Sequence, residues 1–410
     1  PIMGRVQSFD NPWDVYAMST YNTVTSLSES RIDENILYAG TDDGIIQYTK
    51  DGGESWTKMT VDNLPDTPST AFVNDIKTDM HDTETAYVLL DNHKYGDYKP
   101  YMFKTTNGGK KWVSITKGIP DGTLLWRIVQ DHVNPNLLFL GTEYGVYISL
   151  NQGENWHKFS NGLPTIPVRD VAIQKRENDL VLATFGRSFY VLDDYSPLRN
   201  MTEEMLSNDG VIFEPRKALQ FNQIYGGTSS DGGQTYYADN PRYGANITYF
   251  VKDAPASMKS KRAKSEKAKK DGDIPFPGWD ALDDEMSEQK NQVILVVKDK
   301  NGNIVSKISG PLRKGVSRVN WNLTSSIPTT IRASSRSSRG WRGSGGGIRT
   351  QVDPGVYDLF LNKRVDGVVT EIAGPVELKV EKIRSGTLEN PMKDKHEQYY
   401  ADLAEFSTTV

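Results

Sequence analysis

An eight-residue motif ending in tryptophan occurs three times in the first half of this chain and limits its possible folds strongly. The copies align without gaps at 49–56, 105–112 and 149–156, and they start 56 and then 44 residues apart. A repeat of this length has room for four short strands and the turns between them. Repeated four-stranded units are typical of a β-propeller, in which each unit forms one blade.

The residues around each copy have the apolar pattern of short β-strands. Expected first strands of four successive units lie at 24–27, 73–76, 126–129 and 168–173, and expected second strands at 37–41, 86–90, 138–142 and 181–184. The fourth unit lacks the motif. We therefore predict an all-β chain that begins with a lead-in segment, 1–21, and continues with about four blades of a partial propeller across 22–199.

The polar residues of the motif suit a tight hairpin. A side-chain oxygen at its third position can accept hydrogen bonds from backbone amides, glycine can take a positive φ angle, and tryptophan can cover the turn. The motif resembles the Asp-box, or BNR repeat, of sialidases, sortilin-like receptors and xyloglucanase-type hydrolases. Its first copy matches the pattern Ser/Thr-x-Asp-x-Gly-x-Ser/Thr-Trp throughout, whereas the other copies carry Asn for the acid. We predict a structural role for Asp51, Trp56, Asn107, Trp112, Asn151 and Trp156.

The second half of the chain has a different strand pattern. Segments with strand composition lie at 247–252, 293–298, 304–308, 317–323, 356–361, 368–372 and 376–380. Seven short strands separated by turn residues predict an immunoglobulin-like or fibronectin-like β-sandwich across 246–383, with Trp321 and Tyr357 in its core. We interpret 200–245 as the linker before it.

Two inserts interrupt the predicted sandwich, and a further segment follows it. The insert 253–291 is basic at first and then acidic, which indicates a charged helical excursion whose surface neutralises itself. The loop 325–350 is rich in Ser, Gly and Arg, and we expect it to lie over the sandwich. Residues 384–410 are expected to begin a C-terminal helical segment.

Composition narrows the classes of function. The net charge of −5 argues against a nucleic-acid partner, because it gives no diffuse positive field. Unbroken apolar runs reach only about five residues, so no segment is expected to span a membrane. The chain has no cysteine, which excludes disulfides, thiolate nucleophiles and zinc–thiolate sites. We expect no cofactor and no metal centre.

Five segments, at 1–6, 40–44, 91–94, 131–137 and 183–187, together resemble one family of large exported bacterial proteins. These Asp-box, sortilin-like proteins are often labelled glycosyl hydrolases, and the resemblance covers nearly the whole chain. It implies export to the periplasm, the outer-membrane surface or the medium. It also implies a larger propeller. Because an open arc leaves strand edges unpaired, we expect missing blades from the same gene product or a partner chain.

Candidate site residues follow from blade geometry. The turn between the second and third strands lies on one face together with the links between blades, while the Asp-box hairpin lies on the other. Loops on a rigid ring are where propellers usually contact ligands. The candidates for binding a peptide, protein or glycan are Asp42, Asp43, Asp91, His93, Glu143, Tyr144 and Arg187, with Asn92 and Phe185 beside them.

Two functions are consistent with these residues. The favoured one is a noncatalytic binding or assembly protein. The alternative is a glycoside hydrolase acting on a polysaccharide, which needs two carboxylates about 5 to 10 Å apart. Its catalytic candidates are Asp42, Asp43, Asp91 and Glu143. The sequence has no Arg-Ile-Pro signature of a sialidase and no Gly-x-Ser-x-Gly motif of a serine hydrolase.

Overall fold

The computed structural model describes residues 23–222, 240–268, 274, 276–326, 349–384, 395, 398, 399 and 402. The chain divides into two units between Met201 and Thr202. The described residues are mostly β-strands in antiparallel sheets with three short α-helices, so the predicted all-β class is confirmed. The lead-in segment 1–21 and most of the predicted helical segment 384–410 lie outside the described residues.

The first unit contains four sheets, each a meander in which consecutive strands pair antiparallel. Blade one consists of β1 (Val24–Glu29), β2 (Leu37–Thr41), β3 (Ile45–Thr49) and β4 (Thr57–Thr60). Blade two consists of β5 (Phe72–Thr78), β6 (Ala86–Asn92), β7 (Asp97–Thr105) and β8 (Trp112–Ser114). Blade three consists of β9 (Leu125–Gln130), β10 (Leu138–Thr142), β11 (Gly145–Ser149) and β12 (His157–Phe159). Blade four consists of β13 (Val168–Gln174), β14 (Asp179–Thr184) and β15 (Phe189–Leu192). Short 3-10 helices lie at Val61–Asn63, His93–Tyr95 and Ser196–Asn200.

The four sheets pack as consecutive propeller blades. First strands of neighbouring blades contact one another, and a separate apolar core fills each space between two blades. Gly40 in β2 permits this close packing, because a Cβ atom there would lie 2.3 Å from Cγ1 of Val73 in the next blade. Hydrophobic burial therefore holds each blade against its neighbour, as expected for sheets that are apolar on both faces.

The hairpins formed by the three copies of the eight-residue motif share one hydrogen-bond pattern. The backbone amides of Gly53, Gly109 and Gly153 donate to the first hydroxyl of their motifs over 3.0, 3.0 and 2.8 Å. These glycines have φ angles of 98°, 86° and 89°, which strain a residue with a side chain. The side-chain oxygen at the third position accepts from the backbone amide four residues later, over 3.0, 2.9 and 3.0 Å. Replacing Asp by Asn thus preserves the turn.

The second unit contains two principal sheets around one core. Its elements before the charged insert are α1 (Glu203–Ser207), β16 (Gly210–Ile212), β17 (Ala218–Gln220) and β18 (Ala245–Val251). The insert contains α2 (Met258–Ala268) and α3 (Trp279–Ser287). After it come β19 (Gln292–Lys298), β20 (Ile304–Pro311), β21 (Gly315–Trp321), β22 (Thr324–Ser326), β23 (Arg349–Gln351), β24 (Gly355–Val365) and β25 (Val368–Lys382). One sheet has the order β16-β18-β21 and the other β17-β25-β24-β19-β20.

The two sheets share the core that contains Trp321 and Tyr357, whose rings meet edge to face with centroids 5.4 Å apart. The predicted core positions of these two side chains are therefore confirmed. A closer relation to immunoglobulin or fibronectin domains remains a prediction.

Two details of the predicted second half are wrong. The expected linker 200–245 contributes β16, which pairs with β18, and β17, which pairs parallel to β25. Each has only three residues, too few to show a period of two in sequence. The segments 368–372 and 376–380 form one strand, β25, because a register shift against β24 accommodates Gly374 and Pro375 between them.

The charged insert forms the predicted helical excursion. Arg262 of α2 donates two hydrogen bonds to Glu285 of α3, over 2.6 and 3.0 Å, and one to Glu266 over 2.8 Å. These contacts pair opposite charges of the insert with each other. The ends of the Ser/Gly/Arg loop form the β22–β23 hairpin, and its middle, 327–348, lies outside the described residues.

Candidate functional site

The candidate residues lie at the turns between the second and third strands of the blades. Because consecutive strands run antiparallel, these turns are at the opposite end of each blade from the motif hairpins. We call this end the site face. Most of the carboxylates on it already make contacts within their own blade.

In blade one, both acids organise the β2–β3 turn. Asp43 is buried and accepts a hydrogen bond from the hydroxyl of Thr41. Asp42 accepts one from the backbone amide of Thr23 over 2.8 Å, which ties the turn to the start of β1. These contacts give both side chains a structural role.

In blade two, Asp91 and His93 form a fixed pair. The Asp91 side chain is completely buried, and its Oδ1 accepts from the backbone amide of His93 over 2.8 Å. Its Oδ2 lies 2.7 Å from Nδ1 of the same histidine, whose side chain is 39% exposed. A carboxylate at Nδ1 favours the tautomer with the proton there and leaves Nε2 as the outer, accepting nitrogen. The imidazole, and not Asp91, can therefore meet a ligand.

The loop between β6 and β7, which contains the 3-10 helix His93–Tyr95, is held by a second carboxylate, Asp97. The hydroxyl of Tyr101 donates to Asp97 over 2.6 Å, and the side-chain amide of Asn92 donates over 3.1 Å. Burial opposes the charged form, but these hydrogen bonds and the Lys99 amide hold the pKa of Asp97 below its usual value. Asp97 is thus an ionised structural support for the loop that carries His93.

Between blades three and four, four side chains form an aromatic and charged group. Oε2 of Glu143 accepts a hydrogen bond from Nε1 of Trp126 over 3.0 Å. The guanidinium of Arg169 lies 3.6 Å from the centroid of the Trp126 ring and 5.6 Å from that of Phe185. Arg169 also approaches Glu143 to 3.8 Å. We call Trp126, Glu143, Arg169 and Phe185 the Trp126 cluster.

The Trp126 cluster remains open to solvent. The Phe185 side chain is exposed, as is the neighbouring Tyr144, and Trp126 is only partly buried. Arg187 lies exposed on the turn that carries Phe185. The Arg169 guanidinium makes cation–π contacts with the rings of Trp126 and Phe185. The group offers flat apolar surface together with directed donors, which suits a sugar ring or an aromatic or acidic peptide side chain.

Sequence reasoning missed Trp126 and Arg169 because both lie inside predicted strands. Each first strand carries a one-residue β-bulge, and the bulged residues are Thr25, Asn74, Trp126 and Arg169. A bulge redirects a side chain, so these residues depart from the alternation that the sequence indicates. The side chains of Thr25 and Asn74 donate hydrogen bonds to Val73 O and Leu125 O of the next blade, over 2.6 and 2.8 Å.

At the opposite end of the first strands, the blades line a cavity of about 410 Å³. Its wall includes Arg31, Lys77 and Lys175 together with one acidic residue, Glu29. His132 also lines the cavity. Burial lowers the pKa of this histidine, which favours its neutral form near pH 7. Within the described part of the chain, three or more potential metal ligands do not cluster anywhere. No helix there has the length and apolar character to cross a bilayer.

The blades described above define a protein of the β-propeller class. No family model matches the chain, and no curated protein matches it. Solved structures that resemble it include YCF48 from Cyanidioschyzon merolae, with 17% identity, a TM-score of 0.32, and coverage of 43% of this chain and 57% of that one. The GH74 xyloglucanase from Xanthomonas campestris has 11% identity, a TM-score of 0.31, and coverage of 39% and 26%. The propeller domain of Cps50 (Swd1) from Myceliophteria thermophila has 13% identity, a TM-score of 0.34, and coverage of 44% and 55%. The chain thus spans less than two thirds of each of these proteins.

Proposed function

We propose that this protein is a noncatalytic, exported binding or assembly protein that presents its site face to a peptide, protein or glycan. The observation that carries the proposal is the Trp126 cluster, in which Arg169 stacks on Trp126 beside the exposed ring of Phe185. Two of its members project from the first strands, which pack against neighbouring blades. Rigid aromatic and arginine side chains of this kind dominate binding energy at interfaces. Export is proposed from the family resemblance and the absence of cysteine.

The environment of the acids favours binding over hydrolysis. A glycoside hydrolase needs one carboxylic acid at the glycosidic oxygen and a second carboxylate at the sugar ring. Asp91 and Asp43 are buried and bonded to their own turns. Glu143 is engaged by Trp126 and Arg169. These carboxylates support the shape of the loops and leave the aromatic surface to meet the ligand.

The test is binding of the 410-residue chain to an immobilised panel of polysaccharides and peptides. We expect Phe185→Ala and Arg169→Ala to weaken the strongest interaction by about tenfold or more, as loss of an interface hot spot does. The matched control is Trp279→Ala, which removes an exposed aromatic ring in the second unit and should leave binding unchanged.

The same panel also tests whether the protein hydrolyses a polysaccharide. Release of reducing sugar that Asp91→Ala or Glu143→Ala abolishes would overturn the proposal in favour of the glycoside hydrolase. Unchanged binding in both Phe185→Ala and Arg169→Ala, with the fold intact by circular dichroism, would remove the Trp126 cluster from the ligand site.

We also propose that the four blades are part of a larger ring. Further blades from the same gene product or a partner chain would complete it.

A further inference from the structure

One position of the repeat places a residue from every blade on the wall of the cavity of about 410 Å³. The four blades are aligned by the β-bulges in their first strands. The sixth residue after each bulge lines the cavity, and these residues are Arg31, Met80, His132 and Lys175. They follow the ends of the first strands by one or two residues. Basic side chains therefore gather at the end of the cavity that is farthest from the site face.

The cations on the wall are poorly neutralised by the protein itself. Among the residues that the structure describes, Arg31 and Lys175 form no ion pair. Lys77 approaches Asp75 to 3.5 Å, but Asp75 also accepts a hydrogen bond from Arg127 over 2.7 Å. The wall carries the charges of Arg31, Lys77 and Lys175 against that of a single acid. An excess of positive charge is therefore left for a ligand.

The neutral polar side chains of the wall already have partners inside the protein. The side-chain amide of Gln130 accepts from the Met80 amide and donates to Asp79, both over 2.7 Å. The hydroxyl of Tyr87 also donates to the buried Asp79 carboxylate, over 3.0 Å. The hydroxyl of Thr78 donates to a backbone carbonyl of β1 over 3.0 Å. The donors that remain for a ligand are those of the basic residues.

Apolar side chains form much of the remaining wall. They are Leu27, Ile128, Val129, Leu138, Ala172 and Ile173. The volume lies in the range of small-ligand sites, which is roughly 300 to 1,000 Å³. A cavity with cations at one end and aliphatic side chains along the strands fits a molecule that has an anionic end and an apolar body.

We propose that this cavity is a second binding site, which takes an organic acid with its carboxylate among Arg31, Lys77 and Lys175 and its aliphatic part against the first strands. Guanidinium and ammonium groups form their strongest hydrogen bonds with carboxylates. A free aliphatic acid and the terminus of a peptide present the same chemistry. The inference goes beyond the proposed function, because the cavity lies at the opposite end of the first strands from the site face.

The experiment is isothermal titration calorimetry of the 410-residue chain with hexanoate. Hexanamide lacks the charge and acetate lacks four methylene groups, and we expect each to bind at least tenfold more weakly than hexanoate. Raising the salt concentration from about 0.02 M to about 0.15 M should weaken hexanoate binding. Absence of hexanoate binding, or equal binding of hexanoate and hexanamide, would overturn the inference.

Substitutions on the wall assign the binding to this cavity. Arg31→Gln and Lys175→Gln should each weaken hexanoate binding about threefold, and the double variant about tenfold, since exposed charges contribute modestly. Glu29→Gln removes the acid of the wall and should tighten binding about twofold. Arg176→Gln is the matched control, because Arg176 is 81% exposed and is not part of the wall. With folds intact by circular dichroism, equal weakening by Arg176→Gln would contradict a site in the cavity.

Further probes identify the source of the carboxylate. N-acetyl-Ala-Val should bind more tightly with a free than with an amidated C-terminus. If it also binds more tightly than hexanoate, the site takes a peptide terminus, and the reverse order supports a free acid. Inorganic phosphate that binds as tightly as hexanoate would overturn the proposed organic acid. Phe185→Ala should leave hexanoate binding unchanged, so failure of this inference can be distinguished from failure of the proposed function.

Discussion

At the scale of single residues, Asp131 shows how one buried carboxylate joins blade three to the end of the first unit. Arg199, which follows blade four, donates to both of its oxygens over 2.8 Å, and the hydroxyl of Tyr195 donates over 2.5 Å. The Asn134 amide adds a bond of 2.7 Å. Burial alone would raise the pKa of Asp131, but these donors hold it below its usual value.

Removing the guanidinium is expected to destabilise the first unit in a pH-dependent way. Arg199→Ala should lower the free energy of unfolding by about 3 kcal/mol at pH 7, since it leaves a buried charge unpaired. A lowered folded-state pKa contributes stability above the unfolded-state value of about 4 and loses it as pH falls through the folded value. The difference between wild type and variant should therefore shrink below about pH 4.

Urea unfolding at pH 7, 5 and 3 measures this effect. Arg176→Ala, which removes a mostly exposed partner of Glu177, is the matched control and should cost less than about 1 kcal/mol. A loss in Arg199→Ala that stays constant down to pH 3 would contradict the role assigned to Asp131.

At the scale of the structural element, each motif hairpin is held by the hydroxyl at the first position of the motif. Thr105 is completely buried, donates to Asn107 Oδ1 over 3.0 Å and accepts from the Gly109 amide over 3.0 Å. Asn at the third position can replace Asp because both supply the accepting oxygen. The sequence therefore predicts the hairpin even where the motif is degraded.

Thr105→Val tests the hydroxyl without changing the size of the side chain. It should lower the free energy of unfolding by about 1 to 3 kcal/mol, because the Gly109 amide is left without its partner. Thr106→Val changes the neighbouring exposed threonine and should be within about 0.5 kcal/mol of wild type by urea unfolding. Equal losses of unfolding free energy in the two variants would show that the β-propensity of valine, and not the lost hydrogen bond, causes the change.

At the scale of the whole first unit, one polar position links all four blades. Ser26, Asp75, Arg127 and Asp170 follow the bulge of their first strands. Ser26 donates to Asp75 over 3.1 Å, and Arg127 donates to Asp75 over 2.7 Å and to Asp170 over 2.9 Å. The four residues thus form a continuous hydrogen-bonded chain across the blades.

The two acids of this hydrogen-bonded series should contribute very differently to the free energy of unfolding. Asp75→Ala should cost about 3 kcal/mol of unfolding free energy, because Asp75 is completely buried and Arg127 would lose its inner partner. Asp170→Ala should cost less than about 1 kcal/mol, since the Asp170 side chain is 59% exposed. Similar losses of unfolding free energy in the two variants would show that burial of the acid does not determine its contribution to stability.

The sequence predicts the blades well because each depends on local chemistry repeated at fixed spacing. β2 and β10 have the predicted bounds, and the other first and second strands differ from the predictions by a few residues at their ends. The three-residue strands β16 and β17 could not be predicted, because they exist only through pairing with distant β18 and β25. The same applies to the candidate site. Its turns follow from the repeat, but Trp126 and Arg169 meet through bulges that periodicity does not show.

In each first strand, the bulged residue and the residue after it have different roles. The residue after the bulge is Ser26, Asp75, Arg127 or Asp170, and its side chain is hydrogen-bonded to the equivalent residue of a neighbouring blade. The bulged residue is a threonine, an asparagine, a tryptophan or an arginine in the four blades, and the same one-residue register shift occurs at it in each. The strand pairing of the four blades therefore stays the same while the side chain at the bulge differs from blade to blade.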